Sequence, residues 1–224
     1  MNHIKDNLAQ VELQINQACE QAGREQTTVQ LLAVSKTKPA EQVEQAYHAG
    51  QRAFGENYLQ EAVEKIQQLT HLDDLIWHFI GPIQSNKTRQ IAQHFDWVQS
   101  VDRAKIITRL NEQRAEHNNP LNICLQVNIS GEESKSGIQV NELAQLAQLV
   151  HESPHLTLRG LMAIPEKGNA EQSFSQMQQL FEQLQAQYSS VDTLSMGMSD
   201  DLAQAINNGS TMVRIGTAIF GARQ

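Results

Sequence analysis

Lys36 directly follows a short apolar run, Leu31-Leu32-Ala33-Val34, and Ser35. A lysine leaving a buried strand is desolvated on one side. That disfavours the ammonium, lowers its pKa and frees the amine for Schiff-base chemistry with a carbonyl. An ordinary exposed lysine at a strand end is the alternative for this residue taken alone. Two late segments suggest an anion site: Ser195-Met196-Gly197-Met198-Ser199-Asp200-Asp201 and Val213-Arg214-Ile215-Gly216-Thr217. Gly197 and Gly216 let the backbone approach an anion and aim N–H groups at it, and Ser199 and Thr217 add hydroxyl donors. Asp200 and Asp201 complement a helix dipole but would repel phosphate, so they are expected to point outward. A capped helix and a glycine turn with no ligand is the other reading of these segments. Arg214 falls within an apolar run, where an unpaired guanidinium costs several kcal/mol. Its acceptor could be a phosphate, a ring nitrogen, or an acid on a neighbouring strand in a structural ion pair.

Other polar residues are open to two readings. Asn57, in Phe54-Gly55-Glu56-Asn57-Tyr58, could reach a ligand oxygen or cap the next helix. His78, between Trp77 and Phe79, could line an interior as a satisfied core histidine or a catalytic one. Lys135, in Ser134-Lys135-Ser136-Gly137, adds a second loop lysine, whose plain reading is a solvated one. The histidines form no HExxH or comparable set, so no metal is expected. Cys19 and Cys124 make no disulfide framework and match no zinc spacing.

The elements that must position these residues alternate. Ile4, Leu8, Val11, Ile15 and Ala18 recur at helical spacing. Strands are then expected at 31–34, around Phe54, and at 75–80, 97–101, 122–129, 156–162, 191–195 and 211–215. Helical stretches stand between them: one with Pro39 in its first turn, one after the N-cap Asp102, one carrying Val140, Leu143, Leu146 and Val150, and a short one from about Asp200. Alternating strands and helices imply parallel pairing. Eight βα units, with no GxGxxG after the first strand, favour a closed (β/α)8 TIM barrel preceded by an extra helix. With no linker or composition break, residues 1–224 are expected to form one domain. In such barrels the residues at the C-terminal strand ends and in the βα loops face the active site, and the loops after strands seven and eight commonly bind phosphate.

Composition narrows the function. Seventeen Lys and Arg against 25 Asp and Glu give a net charge of -8, which offers no general nucleic-acid footprint. No apolar stretch approaches a membrane span and the N-terminus has no apolar signal region, so a soluble, cytoplasmic protein is expected. A lysine placed for an imine, a phosphate cradle and an orienting charged residue together fit pyridoxal 5'-phosphate (PLP). If Arg214 faces the ring nitrogen, it donates a hydrogen bond and discourages protonation there, which supports carbanion chemistry poorly.

The segments resemble, in order, the PLP homeostasis protein family, the YggS/PROSC-like PLP-binding proteins. The resemblance is carried by Ala33-Val34-Ser35-Lys36-Thr37-Lys38, Phe54-Gly55-Glu56-Asn57-Tyr58, the stretch 77–87, Ser100-Val101-Asp102-Arg103, and Val127-Asn128-Ile129-Ser130 with Lys135-Ser136-Gly137. It continues through the stretches 159–165, 195–201 and 209–221 and covers essentially the whole chain. It implies a barrel similar to the N-terminal domain of bacterial alanine racemase, with PLP carried by Lys36 as an internal aldimine. It also implies phosphate contacts from Ser199, Gly216 and Thr217, a ring-nitrogen contact from Arg214, a pocket role for Asn57, and secondary exchange sites at Lys38 and Lys135. The expected function is a cytoplasmic, monomeric PLP carrier without turnover that meets apo PLP enzymes transiently. A racemase of the alanine-racemase fold type is the alternative, and a PLP-free Schiff-base aldolase is a third. Racemisation needs a second acid or base. Tyr47, Tyr58 and Tyr188 fall in expected helices rather than at a strand mouth, and no length remains for a second domain to supply one.

Overall fold

Each apolar run is short and bounded by polar turn residues, so it can bury both faces only as a strand in a parallel sheet covered by helices. The computed structural model describes residues 3–130, 136–165 and 170–222. Its strands are β1 (Gln30–Val34), β2 (Ala53–Glu56), β3 (Ile76–Phe79), β4 (Trp97–Val101), β5 (Leu121–Gln126), β6 (Leu156–Met162), β7 (Thr193–Ser195) and β8 (Met212–Ile215). They pair in sequence order into a closed barrel. The closing seam is parallel and in register, from Gln30 beside Met212 to Ala33 beside Ile215. The crossovers carry α2 (Ala40–His48), α3 (Leu59–Gln68), α4 (Thr88–His94), α5 (Ala104–Arg114), α6 (Leu143–His151), α7 (Ala170–Gln187) and α8 (Leu202–Asn207). The (β/α)8 barrel expected from the alternation is the observed fold.

The extra helix, α1 (His3–Gln21), buries Ile4, Leu8, Val11, Ile15 and Ala18 as its spacing requires. It braces the end of the chain. Asn7 Nδ2 donates to the carbonyl of Ile219 (2.8 Å) in the terminal helix α9 (Thr217–Phe220). Just past α1, Arg24 donates to the carbonyls of Ile206 (2.7 Å) and Ser210 (2.8 Å), satisfying the C-terminal end of α8 with a cation.

Strand alternation sorts side chains to two places. Ala33, Phe54, Val98, Leu125, Leu194 and Val213 pack with the helices in the main core. Two smaller apolar groups, Leu32 with Ala53 and Met212, and Trp97 with Cys124 and Met162, pack apart from it. Ser195 on β7 bonds Gln99 on β4, two strands that are not neighbours, so this contact crosses the lumen, and the barrel interior also holds their partners His78 and Arg214. Cys19 and Cys124 are buried and unpaired.

Several boundaries differ from expectation for local reasons. β5 ends at Gln126 rather than 129: Val127 still donates to the Met162 carbonyl (2.9 Å), but it forms an isolated bridge with Ile138 instead of extending the strand. Val140 is exposed in a 3-10 turn. A capping box between Gln139 and Glu142 holds that turn, and α6 starts only at Leu143. Pro39 is the N-cap of α2 rather than a first-turn residue. Asp102 does not cap α5: Arg103 stands at the N-cap and takes the Asp102 carboxylate at 2.6 Å.

Gly160 lets β6 and β7 approach closely: a Cβ there would lie 1.7 Å from the Thr193 carbonyl oxygen, at φ +152. Gly160→Ala is expected to destabilise the protein by about 2–4 kcal/mol, since backbone must move. A lower urea midpoint with unchanged slope is the measurement that checks it.

Candidate functional site

The β1–β8 seam assembles the site. Lys36 follows β1 in a turn closed by Lys38 N donating to the Ser35 carbonyl (3.1 Å), while the Ser35 side chain keeps the helix-facing side of Ala33 and meets Glu56. Lys36 is half-buried, and Thr37 follows it in the left-handed region at φ 64, an unusual conformation for a β-branched residue. The register that sets Ala33 beside Ile215 carries Gly216 and Thr217 alongside the residues leading to Lys36. A Cβ on Gly216 would fall 3.1 Å from the Val34 carbonyl oxygen and 3.4 Å from Val34 Cβ, so glycine keeps this approach open. Gly216 is the N-cap of α9, and its carbonyl accepts from the Ile219 and Phe220 N–H groups. The N–H groups of Thr217 and Ala218 belong to the helix's first turn, which has no intrahelical acceptor for them.

The β7–α8 loop is tied to the same end. Arg214 N donates to the carbonyl of Gly197 (2.9 Å) and Met196 N to that of Met212 (3.1 Å). Gly197 has φ +100, and a Cβ there would meet Ala205 Cβ at 2.6 Å, so the loop can hug α8 only with glycine. Ser199 and Asp200 are exposed in the turn that follows. Asp201 does not point outward as expected. It turns back and accepts from Met198 N at 2.6 Å, because that N–H lacks another partner at the loop entry.

Arg214 is 5% exposed and has no carboxylate partner among the described residues. Its Nη1 donates to the Ser195 carbonyl and hydroxyl, both at 2.8 Å, and its Nη2 to the Ala163 carbonyl at 2.9 Å. Burial lowers its pKa to about 10, opposed by the charge of Asp201, so it remains a cation at neutral pH. Ser195 Oγ donates onward to Gln99 Oε1 (2.6 Å), and Gln99 Nε2 lies 2.9 Å from His78 Nδ1. This order makes Ser195 Oγ the acceptor for Arg214 and His78 Nδ1 the acceptor for Gln99. The guanidinium is held in place as a donor from behind.

His78 stacks on Trp97 (4.9 Å between centroids, 15° between planes), and its Nε2 is buried without a partner. It is therefore only half-satisfied. Burial first, and the charge of Arg159 second, lower its pKa to about 3, so it is neutral.

Asn57 is half-buried at the end of β2, with Oδ1 buried and unpartnered. Its backbone packs on Gly81, where a Cβ would meet the Asn57 carbonyl oxygen at 2.1 Å. A cavity of about 560 Å³ opens beside it at the mouth, lined among others by Asn57, Ser100, Arg103, Gln126 and Ile164. Tyr58 is not inside a helix as expected. It is the extended, half-exposed N-cap of α3, two residues beyond β2 and so at a strand mouth. Lys38 Nζ donates to the carbonyl of Ala222 at 2.8 Å. Lys135 lies outside the described residues.

Beneath Lys36, between β1, β2 and α3, is a polar cluster that the sequence does not reveal. Ser35 Oγ donates to Glu56 Oε1 at 2.5 Å. Lys65 Nζ donates to Glu56 Oε1 (2.6 Å), the Ser35 carbonyl (2.8 Å) and Glu61 Oε1 (3.0 Å). Burial pushes the Glu56 carboxyl up, against Lys65 and Ser35, which hold it down. The one visible signal was the Glu61–Lys65 spacing of four, which reads as a surface pair.

Lys36, Gly216 and Thr217 thus follow the neighbouring strands β1 and β8 at one end of the barrel, Arg214 lies within the lumen, and Ser199 and Asn57 follow β7 and β2 at that same end. Among the described residues no group of three or more His, Cys, Asp or Glu could hold a metal, and no helix is long and apolar enough to cross a membrane.

The alanine racemase N-terminal domain model matches residues 7–224, which defines the class of barrel. The pyridoxal phosphate homeostasis protein of Pasteurella multocida (strain Pm70) is 59% identical over 227 residues, covering 98% of this chain and 97% of that protein. That of Escherichia coli (strain K12) is 55% identical over 229 residues, covering 100% and 98%. PipY of Synechococcus elongatus PCC7942, solved with PLP bound, superposes with a TM-score of 0.82 at 37% identity, covering 97% of this chain and all of that one. The chain belongs to the pyridoxal phosphate homeostasis protein family.

A neutral buried His78 makes stability depend on pH. Its folded pKa lies below the unfolded 6.5, so the unfolded state takes up the proton first and its stabilisation is complete above pH 6.5. Between pH 6.5 and about 3 that stabilisation is lost at up to about 1.4 kcal/mol per pH unit. His78→Gln is expected to flatten the fall, as checked by denaturant unfolding of both proteins across that range.

Proposed function

We propose that this protein binds PLP through Lys36 and passes it on, as a PLP-binding protein of intracellular PLP homeostasis. PLP supplies an aldehyde that condenses with a primary amine, releasing water, and that a second amine can recover. The observation that carries the reading is the seam. Lys36 sits in the turn after β1, two residues past Val34, and the Gly216 turn after β8 approaches the Val34 carbonyl so closely that a Cβ would crowd it. Gly216, Thr217 and Ser199 would hold the phosphate through N–H and hydroxyl donors. Arg214 would donate to the ring nitrogen, and the Asn57 amide would reach a cofactor oxygen. The donor set fits the group: an amine, a short turn of N–H groups and a cation with no carboxylate partner among the described residues.

The same residues favour holding over turnover. Arg214 keeps its proton at neutral pH and offers only donors, so the ring nitrogen facing it stays unprotonated and stabilises a carbanion poorly. The curated relatives are named for homeostasis rather than for racemisation. We place the activity in a single-domain, monomeric, cytoplasmic protein, with apo PLP enzymes as transient acceptors.

Lys36→Ala is expected to abolish the absorbance band that PLP gains on joining a protein amine, and the borohydride-fixed label with it. Retention of the full band would refute Lys36 as the site. PLP-loaded wild-type protein is expected to leave a panel of L- and D-amino acids unracemised while restoring activity to an apo PLP enzyme. Racemisation that disappears in Lys36→Ala would establish the racemase reading instead.

A further inference from the structure

Lys65 is 3% exposed and Glu56 fully buried, yet a buried ion pair adds little stability that a well-packed apolar pair would not. Lys65 acts on particular atoms of the main chain. Its ammonium binds the carbonyl of Ser35, which forms the peptide bond leading into Lys36. It also binds Glu61 Oε1, the same oxygen that accepts from Thr37 N at 2.6 Å in the peptide bond leading out of Lys36. Glu56 Oε1 completes the clamp, receiving both Lys65 and the Ser35 hydroxyl. The two peptide groups flanking Lys36 are thus fastened to one buried cation on α3. The same Ser35 carbonyl accepts from Lys38 N (3.1 Å), closing the turn in which Thr37 takes φ 64, a conformation a threonine rarely adopts, so the fastening acts on a tight turn.

From this geometry we infer that Lys65, with Glu61, is a positioning residue for Lys36. Held from the helix side, the backbone on both sides of Lys36 is rigid, so the amine is presented to the mouth in one direction. The proposal rests on the reading that Lys36 takes up the PLP aldehyde, and it adds that a residue outside the lumen sets how fast the aldehyde is captured and surrendered. Lys65 itself touches no ligand.

The test compares wild type, Lys36→Ala, Lys65→Met and Glu61→Gln, each checked for folding by circular dichroism and thermal melting. Two rates are read well below the melting temperature: PLP capture, from growth of the absorbance band, and surrender of PLP to semicarbazide. In PLP-free protein, acylation of Lys36 by an amine-directed reagent is followed by peptide mass spectrometry. Lys65→Met is expected to slow capture by about tenfold or more, as misdirection of a reacting group does, and to change the acylation rate of Lys36. Glu61→Gln, which keeps the shape and leaves Lys65 in place, is expected to give a smaller change in the same direction. A purely structural Lys65 would lower the melting temperature and leave all three rates within twofold of wild type, which overturns the proposal. If Lys65→Met does not fold, Glu61→Gln decides alone, and unchanged rates in it overturn the proposal. Loss of the band in Lys36→Ala with normal rates in the other variants refutes only the role of Lys65. Retention of the band in Lys36→Ala refutes the underlying site.

Discussion

A guanidinium buried inside a barrel, with no carboxylate partner among the described residues, constrains much of this structure. Arg214 can stay there only if neutral acceptors replace its lost water, because an uncompensated interior charge costs several kcal/mol. The Ser195 and Ala163 carbonyls and the Ser195 hydroxyl supply them. Ser195 is then committed to Gln99, and Gln99 to His78. A polar thread runs through what would otherwise be an apolar lumen, with the Leu32 and Trp97 groups as separate apolar patches. An ion pair would have neutralised the cation. Neutral acceptors leave its charge available at the mouth.

The seam between β1 and β8 brings the Gly216 turn beside the strand that leads into Lys36. Barrel closure makes the first and last strands neighbours, so residues nearly the whole chain apart share one register. The extra helix α1 and the residue just past it reinforce this arrangement, with Asn7 and Arg24 holding α9 and α8 by their carbonyls. The helix lies outside the barrel and packs on α8 and α9, the segments on either side of the Gly216 turn. The hydrogen bonds that hold the turn at Lys36 come from the helix layer, through Lys65 and Glu61, while those of Arg214 run separately inside the lumen.

Fold and chemistry were unequally legible. The alternation of strands and helices came from periodicity, since burying both faces of a strand demands a continuous apolar run. Lys36, Gly216 and Arg214 stood out because a cation beside an apolar run and glycines in adjacent loops are locally unusual. Lys65 did not, because at four residues from Glu61 it looks like a solvated helix pair. Nor did Gln99, whose polar side chain in Trp97–Val101 could have pointed either way. Tyr58 was misread as helical because it precedes the periodic stretch by one residue, and a cap differs from a first turn in backbone angles rather than composition.

By itself the sequence determined the order and kind of the elements and the residue types at the strand ends, because hydrophobic periodicity and backbone preferences act over a few neighbours. Only the tertiary structure decided what each polar group is paired with. Asp201 turning back to Met198, Arg214 resting on carbonyls rather than on an acid, and Lys65 gripping the peptides around Lys36 all depend on distances across the fold. Desolvation is the physical reason: burial makes every polar group take some partner, and barrel closure settles which partners are within reach.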